Sequence, residues 1–325
     1  RADVRPYRRP DAPVTDGAGP RRDSATGAAA AAAGGRIVVD GRPVAFEPGD
    51  SVAVALVRAG EVPARGGTLC LAGDCGNCLG IVDGVAFVRT CQVPARPGTR
   101  VERHPADGNP ALPAVDGTNP VAAPPGAGVA VRRAQAEVVI VGGGDGGRRA
   151  AADHPEALLL DAGEGNEVVA VYPGSTVVAR TLAGMLHVET ERIVVATGAA
   201  EIQPVVPGNH LDGLLTPRAA AGLRAAGVDL PEPVVSVGPE LVRLEGDDTG
   251  RVRAVVTGDA AGAEHATDAR TVIVDLGLAP RDLLARMAAP GTTVQAVGAA
   301  ADEHPLPPAP TDPDAVVCRC MDVTV

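Results

Sequence analysis

The chain has 325 residues, enough for two domains and part of a third. Its 40 acidic residues outnumber 29 basic ones, and the net charge of -11 argues against nucleic acid or an anionic membrane as partner. No apolar run is long enough to span a membrane, and no N-terminal segment combines charged, apolar and cleavage regions, so a cytoplasmic protein is expected.

Every basic residue other than His is Arg, and only two Tyr and two Phe supply aromatic rings, so the core must be built from Val, Leu, Ile and Ala. The chain opens on Arg rather than Met, and a processed chain or a fragment is expected. Residues 1–35, rich in Arg, Pro, Gly and Ala, have no period that would bury a face and read as a disordered tail.

Arg36–Val39 and Arg42–Phe46 flank Asp40-Gly41, the signature of a tight hairpin. Asp50 or Ser51 can cap a helix running to Arg58, with Val52, Leu56 and Ala59 on one face and Gly60 as its stop. Cys70, Cys75 and Cys78 follow on one short loop, and a second Asp-Gly hairpin, Gly80–Arg89, delivers Cys91. The spacing C-x4-C-x2-C-x12-C is that of a [2Fe–2S] ligand set, three thiolates on a loop and a fourth from the next strand. Gly73 and Gly76 supply turns that a Cβ resists, and small residues there let amide N–H groups point at sulfur. Zinc and free thiols are the alternatives; structural zinc sites favour two C-x2-4-C pairs, and one is present.

Residues 104–134 hold six prolines among Gly and Ala and read as an extended linker that cannot by itself fix where the cluster sits. Glu137–Val141 then reads as a buried parallel strand running into a glycine loop in which Gly142, Gly144 and Gly147 form G-x-G-x-x-G. Leu158–Leu160 gives a second strand, ending at Asp161, 19 residues beyond Gly142. That context fits the dinucleotide fingerprint, with Gly142 for the turn, Gly144 for backbone approach to a pyrophosphate, Gly147 for helix–strand packing and Asp161 for a ribose hydroxyl; a glycine-rich turn in an ordinary α/β unit is the alternative. The helix between them ends by Pro155 and carries Arg148 and Arg149, read as a solvated pair. Three short strands after Asp161 read as a β-meander, with Tyr172 at a core position. Arg192–Ala196 is an apolar strand ending in Ala196-Thr197-Gly198. Val234–Val237 looks like the first strand of a second nucleotide domain but is followed by no glycine motif. Cys318 and Cys320 near the end form a C-x-C that cannot close a cluster site alone, and free thiols are expected there. The six His are scattered and read as surface loop residues, His210 being the one near a candidate site.

These words resemble known families. "GDCGNCL", "VDG" and "VRTCQ" resemble the plant-type ferredoxin domain, and more narrowly the small [2Fe–2S] domain that accompanies flavin amine dehydrogenases. The glycine loop, the Ala-Thr-Gly strand, the exit segment Glu201–Gly213, and Thr271–Leu276 with Gln295–Ala300 resemble the two-dinucleotide-domain flavoproteins. There the last strand brings a glycine, here Gly298, to the flavin. The C-x-C resembles the opening of a bacterioferritin-associated-ferredoxin-like domain. The whole layout resembles the α subunit of heteromeric sarcosine oxidases and related proline, opine and cyanide-forming glycine dehydrogenases.

The expected fold is α/β plus α+β: a β-grasp ferredoxin-like domain over 36–103, the linker, and a Rossmann-type FAD/NAD(P)-binding domain over 135–313 with a reduced second nucleotide domain. Residues 314–325 begin a further [2Fe–2S] domain. The resemblance implies a cluster on Cys70, Cys75, Cys78 and Cys91. It implies FAD, or NAD at the same site, held by Gly142, Gly144, Gly147, Asp161, Ala196, Thr197, Gly198 and Gly298. It further implies oxidation of a secondary amine or amino acid, with a flavin-containing β subunit as partner. A non-catalytic electron carrier with an empty nucleotide site, or a cluster-free scaffold, are the other readings.

Overall fold

The computed structural model describes residues 34–61, 66–104, 129–181 and 183–301, and the backbone of 316–318 and 323–324. Residues 1–33 of the tail, most of the linker and Cys320 lie outside the described residues, whereas Gly35, read from the sequence as tail, opens the first strand.

The first unit is a β-grasp. Strands β1 (Gly35–Val39), β2 (Arg42–Phe46), β3 (Leu79–Val82), β4 (Val85–Arg89) and β5 (Arg100–Glu102) form one sheet in the order β2-β1-β5-β3-β4, with β1 and β5 parallel. Both hairpins turn on Asp-Gly pairs with positive φ at both residues, 48° and 79° at Asp40-Gly41 and 49° and 84° at Asp83-Gly84. Those are the values of the turn whose twist matches paired strands. Helix α1 (Val52–Arg58) is capped by Ser51 Oγ, which accepts from Val54 N–H at 3.3 Å. The alternative cap, Asp50, instead grips the far end of the same helix through Arg58 at 3.0 Å. Ile37, Val39, Phe46, Val52, Leu56 and Val101 fill the space between sheet and helix.

The main sheet begins with β6 (Val131–Val141), which starts inside the stretch read from sequence as linker. After α2 (Asp145–Asp153) come β7 (Leu158–Leu160), β8 (Asn166–Tyr172), β9 (Thr176–Thr181) and β10 (Gly184–Val195). β10 is one long strand where the sequence suggests two, Met185–Glu189 and Arg192–Ala196. Its first half pairs with β9 and its second half with β19 (Thr293–Ala296), while β6 accompanies it throughout. The parallel core therefore runs β7-β6-β10-β19, and the meander β8-β9 is an extension of the same sheet. Val139, Val141, Val188, Ile193 and Val195 pack under the meander, whereas Val138, Ile140 and Val194 face α2. A strand buried on both faces has no reason to alternate with polar residues, hence the continuous apolar runs. Tyr172 is 55% exposed at the meander rim, not in its core.

A smaller unit completes the chain. β11 (Ala199–Glu201) pairs with β18 (Leu278–Pro280), and β12 (Leu214–Leu215), β13 (Val234–Val237) and β17 (Thr271–Val274) form a parallel sheet in the order β12-β17-β13 beside α3 (Pro217–Ala225). β14 (Leu241–Gly246), β15 (Val252–Gly258) and β16 (Glu264–Asp268) are an antiparallel meander. The short α4 (Leu283–Arg286) precedes β19, and β20 (Val316–Cys318) pairs with β21 (Val323–Thr324). Thr271–Val274 thus belongs to the small sheet, and only β19 joins β10, which divides a pair of segments that the sequence reading placed together. β13 leads through Gly238 directly into β14 with no helix between, so the second nucleotide domain is reduced to a remnant. No described helix is long and apolar enough to cross a membrane.

Candidate functional site

The cysteine loop is shaped by left-handed backbone at Leu71, Gly73 and Gly76, with φ of 51°, 83° and 68°. A Cβ on Gly73 would also press the Gln92 side chain at 3.2 Å. The curl turns three N–H groups, those of Ala72, Asp74 and Cys75, onto Cys70 Sγ at 3.3 to 3.4 Å. Asn77 N–H donates to Cys75 Sγ at 3.4 Å and Gln92 Nε2 to Cys91 Sγ at 3.6 Å. Thr90 fastens the hairpin, its Oγ1 donating to Cys78 O at 2.7 Å, and so brings Cys91 beside Cys78.

The thiols stand as two pairs. A hydrogen bond from Cys75, joined by the backbone donors, lowers the Cys70 thiol to about 5 despite burial. One from Cys91, helped by Thr90, lowers Cys78 to about 7. Cys75 and Cys91 keep the proton of each pair and are pushed up. Among the described residues no three His, Cys, Asp or Glu side chains gather as around a single ion. Two thiol pairs, three of the four thiols buried and Cys75 half-buried, with N–H donors that stabilise negative sulfur, suit two irons with two thiolates each.

The glycine loop lies at the C-terminal ends of β6 and β10, where the chain leaves the sheet in opposite directions, the usual place for a ligand in an open α/β sheet. Gly142 has φ 105°, and a Cβ there would lie 2.5 Å from Ala196 O. A Cβ on Gly147 would come 1.7 Å from Gly142 O, so only glycine lets α2 sit this close to β6. Gly144 faces open space and caps α2 without any side-chain acceptor, which leaves the helix N–H groups available to an anion. Asp161 ends β7 beside the loop, and its Oδ1 accepts from Gly143 N–H at 3.1 Å. Gly298, with φ 60°, follows β19, and a Cβ there would lie 3.5 Å from Gly146 Cα. Six of the eight residues read from the sequence as a dinucleotide site thus converge: Gly142, Gly144, Gly147, Asp161, Ala196 and Gly298. Thr197 and Gly198 lie just beyond and engage Arg281: Thr197 Oγ1 donates to Arg281 O, and Arg281 N–H donates to Gly198 O at 2.9 Å.

The cradle fits a pyrophosphate except at Asp145, a carboxylate in the first turn of α2. Arg148 answers it, donating to Asp145 Oδ1 at 2.9 Å and to Gly143 O at 2.8 Å. It holds the loop while its side chain stays exposed, as does that of Arg149, in keeping with the solvated pair read from the sequence. Gly143, Gly146, Arg148 and Arg281 are the participants the sequence reading missed. The two glycines lie within the motif, whereas nothing local marks the arginines.

Thiol loop and small sheet share one seam. Leu69 pairs with Leu215: Leu69 N–H donates to Leu214 O at 2.9 Å and Thr216 N–H to Leu69 O at 3.0 Å. Cys78 and Cys91 lie in one buried cluster with Ala53, Leu215, Ala219, Leu223 and Ile273. Arg58 Nη2 donates across the seam to Ala226 O at 2.7 Å. A cavity of about 460 Å³ opens along this seam, lined by Arg58, Asn77, Asp212, Arg251 and Arg270 among others, and by none of the dinucleotide-site residues.

Residues 36–106 match the family of 2Fe-2S iron-sulfur cluster binding domains. No curated protein matches the chain. Among solved structures the chain resembles the L-proline dehydrogenase of P. horikoshii, at 14% identity and a TM-score of 0.54, over 77% of this chain and 61% of that one. A FAD-dependent pyridine nucleotide-disulphide oxidoreductase from Desulfovibrio vulgaris aligns at 20% identity and TM-score 0.35, over 48% of this chain and 55% of that one. A NAD-dependent persulfide reductase from A. fulgidus aligns at 14% identity and TM-score 0.35, over 46% of each chain. Residues 36–106 are a ferredoxin-type [2Fe–2S] domain, and the chain as a whole shares the fold of the L-proline dehydrogenase. It spans 61% of the length of the L-proline dehydrogenase.

Proposed function

We propose that the chain is an iron–sulfur flavoprotein oxidoreductase subunit that passes electrons between FAD in the glycine cradle and a [2Fe–2S] cluster on Cys70, Cys75, Cys78 and Cys91. The observation that carries this is how the thiol loop is tied down: Leu69 is hydrogen-bonded to β12 of the small sheet, and Asp74 is bonded to Arg281, which in turn is bonded to the Ala-Thr-Gly turn that follows β10 beside the cradle. The flavin supplies two-electron chemistry and the cluster one-electron steps; the protein supplies position and electrostatics. N–H groups at the start of α2 hold the phosphates, Asp161 the ribose, Ala196-Thr197-Gly198 and Gly298 the approach to the ring. NAD is the alternative ligand, since both dinucleotides offer a ribose hydroxyl to Asp161.

The finer reading is an α subunit of the sarcosine oxidase kind, acting on a secondary amine or amino acid beside a flavin-bearing β subunit, in the cytoplasm. The motif resemblance supports it, and the fold shared with an L-proline dehydrogenase is compatible with that class of donor. A second reading, an electron carrier with an empty cradle, is favoured by Asp145 in the phosphate position and by Gly143 N–H already engaged with Asp161.

The visible spectrum of the purified protein before and after dithionite tests both. Flavin bands with cluster shoulders that bleach support the first, cluster absorbance without flavin the second. A colourless protein rejects both.

A further inference from the structure

Arg281 lies just after β18 and touches both halves of the site. Its Nε donates to Asp74 Oδ1 at 3.1 Å and its Nη2 to Asp74 Oδ2, a two-pronged grip on the carboxylate of a thiol-loop residue. Its Nη1 donates to Thr197 O at 3.3 Å, on the Ala-Thr-Gly turn. Backbone bonds hold Arg281 against that turn from both sides, through Thr197 Oγ1 and Gly198 O. Asp74 is no bystander at the thiols, because its own N–H points at Cys70 Sγ at 3.3 Å. A continuous polar chain therefore runs from ligand sulfur through Asp74 and one guanidinium to the turn at the end of β10.

We infer that Arg281 is a positioning residue that ties the cluster loop to the dinucleotide-site turn and sets the cluster's reduction potential by its charge. The inference rests on the cluster assignment made above. Accepting one electron makes the cluster more negative, so a neighbouring guanidinium favours the reduced form and a bare carboxylate disfavours it. The fork also does what a point charge cannot. Three N–H edges of one planar group reach two carboxylate oxygens and a carbonyl, a geometry Lys lacks. The side chain is 34% exposed and that of Asp74 21%, so solvent screens the pair in part without removing it.

The test is a dithionite titration of the purified protein, followed by the electron paramagnetic resonance of the reduced cluster. It compares wild type with Arg281→Gln, Arg281→Lys and the isosteric Asp74→Asn. Arg281→Gln is expected to lower the midpoint, with about tenfold less reduced cluster at a fixed poise, about 59 mV for one electron. Asp74→Asn is expected to raise it. Arg281→Lys is expected to hold the wild-type midpoint yet speed amide exchange in residues 70–78, as Arg281→Gln also does. Opposite shifts are a signature of charge that simple loosening of the loop would not give. Unmoved midpoints, or shifts of the same sign in Arg281→Gln and Asp74→Asn, overturn the inference while leaving the cluster reading intact. A wild type with no reduced-cluster signal overturns both.

Discussion

Asp161 Oδ1 accepts the N–H of Gly143 at 3.1 Å, which binds the tip of β7 to the middle of the glycine loop. That one contact makes Asp161 both a buttress of the loop and the group placed for a ribose. Asp161→Ala is expected to lower dinucleotide retention by at least tenfold and stability by about 1 kcal/mol, the usual net worth of such a bond. Flavin released on denaturation, per mole of protein, reads the first quantity, and urea unfolding the second.

Gly147→Ala probes the cradle without removing any polar group. Its Cβ would lie 1.7 Å from Gly142 O, so α2 must lift off the sheet. The expected cost exceeds the roughly 1–3 kcal/mol of ordinary overpacking, with loss of bound flavin and full retention of iron. Loss of both cofactors together would show that the two halves do not fold as separable sites.

The seam predicts a different coupling. Leu215 is 7% exposed and packs with Cys78 and Cys91, so Leu215→Ala is expected to cost about 2–5 kcal/mol and to loosen the thiol loop. Removing iron with a chelator is expected to act from the other side, lowering the thermal midpoint of the whole chain. An unchanged midpoint after iron loss would place the cluster outside the stabilising core.

Ligand identity is settled by single substitutions. Cys70→Ser, Cys75→Ser, Cys78→Ser or Cys91→Ser is each expected to abolish the cluster spectrum, because one iron then loses one of its two thiolates. Cys318→Ser and Cys320→Ser are expected to leave it unchanged, since that pair alone cannot close a site.

Asp212 gives a pH dependence. Burial pushes its carboxyl above the usual range, and Arg251 and His210 only partly oppose this. With a folded value above the unfolded one, near 3.9, its favourable contribution is complete below about pH 4 and is lost as pH rises through the folded value. Asp212→Asn is therefore expected to be more stable than wild type at pH 7, the advantage vanishing in acid. Urea unfolding across that range checks it, and an advantage that grows in acid would contradict the sign.

Short-range chemistry was legible in the residues themselves. The Asp-Gly pairs fix left-handed turns, the cysteine spacing fixes a loop tight enough to aim N–H groups at sulfur, and the glycine spacing fixes how closely α2 approaches β6. Each depends on the backbone preferences of a few neighbours. What the sequence could not disclose lies between distant segments. Thr271–Val274 and Thr293–Ala296 are equally apolar, and only pairing partners sent one to the small sheet and the other to β10. Arg281 and Asp74 are 207 residues apart. Their meeting, like that of Leu69 with Leu215, follows from two surfaces that fit, and no local pattern records such a fit. The linker sets only how far the ferredoxin-like unit can travel; tertiary packing decides where it stops.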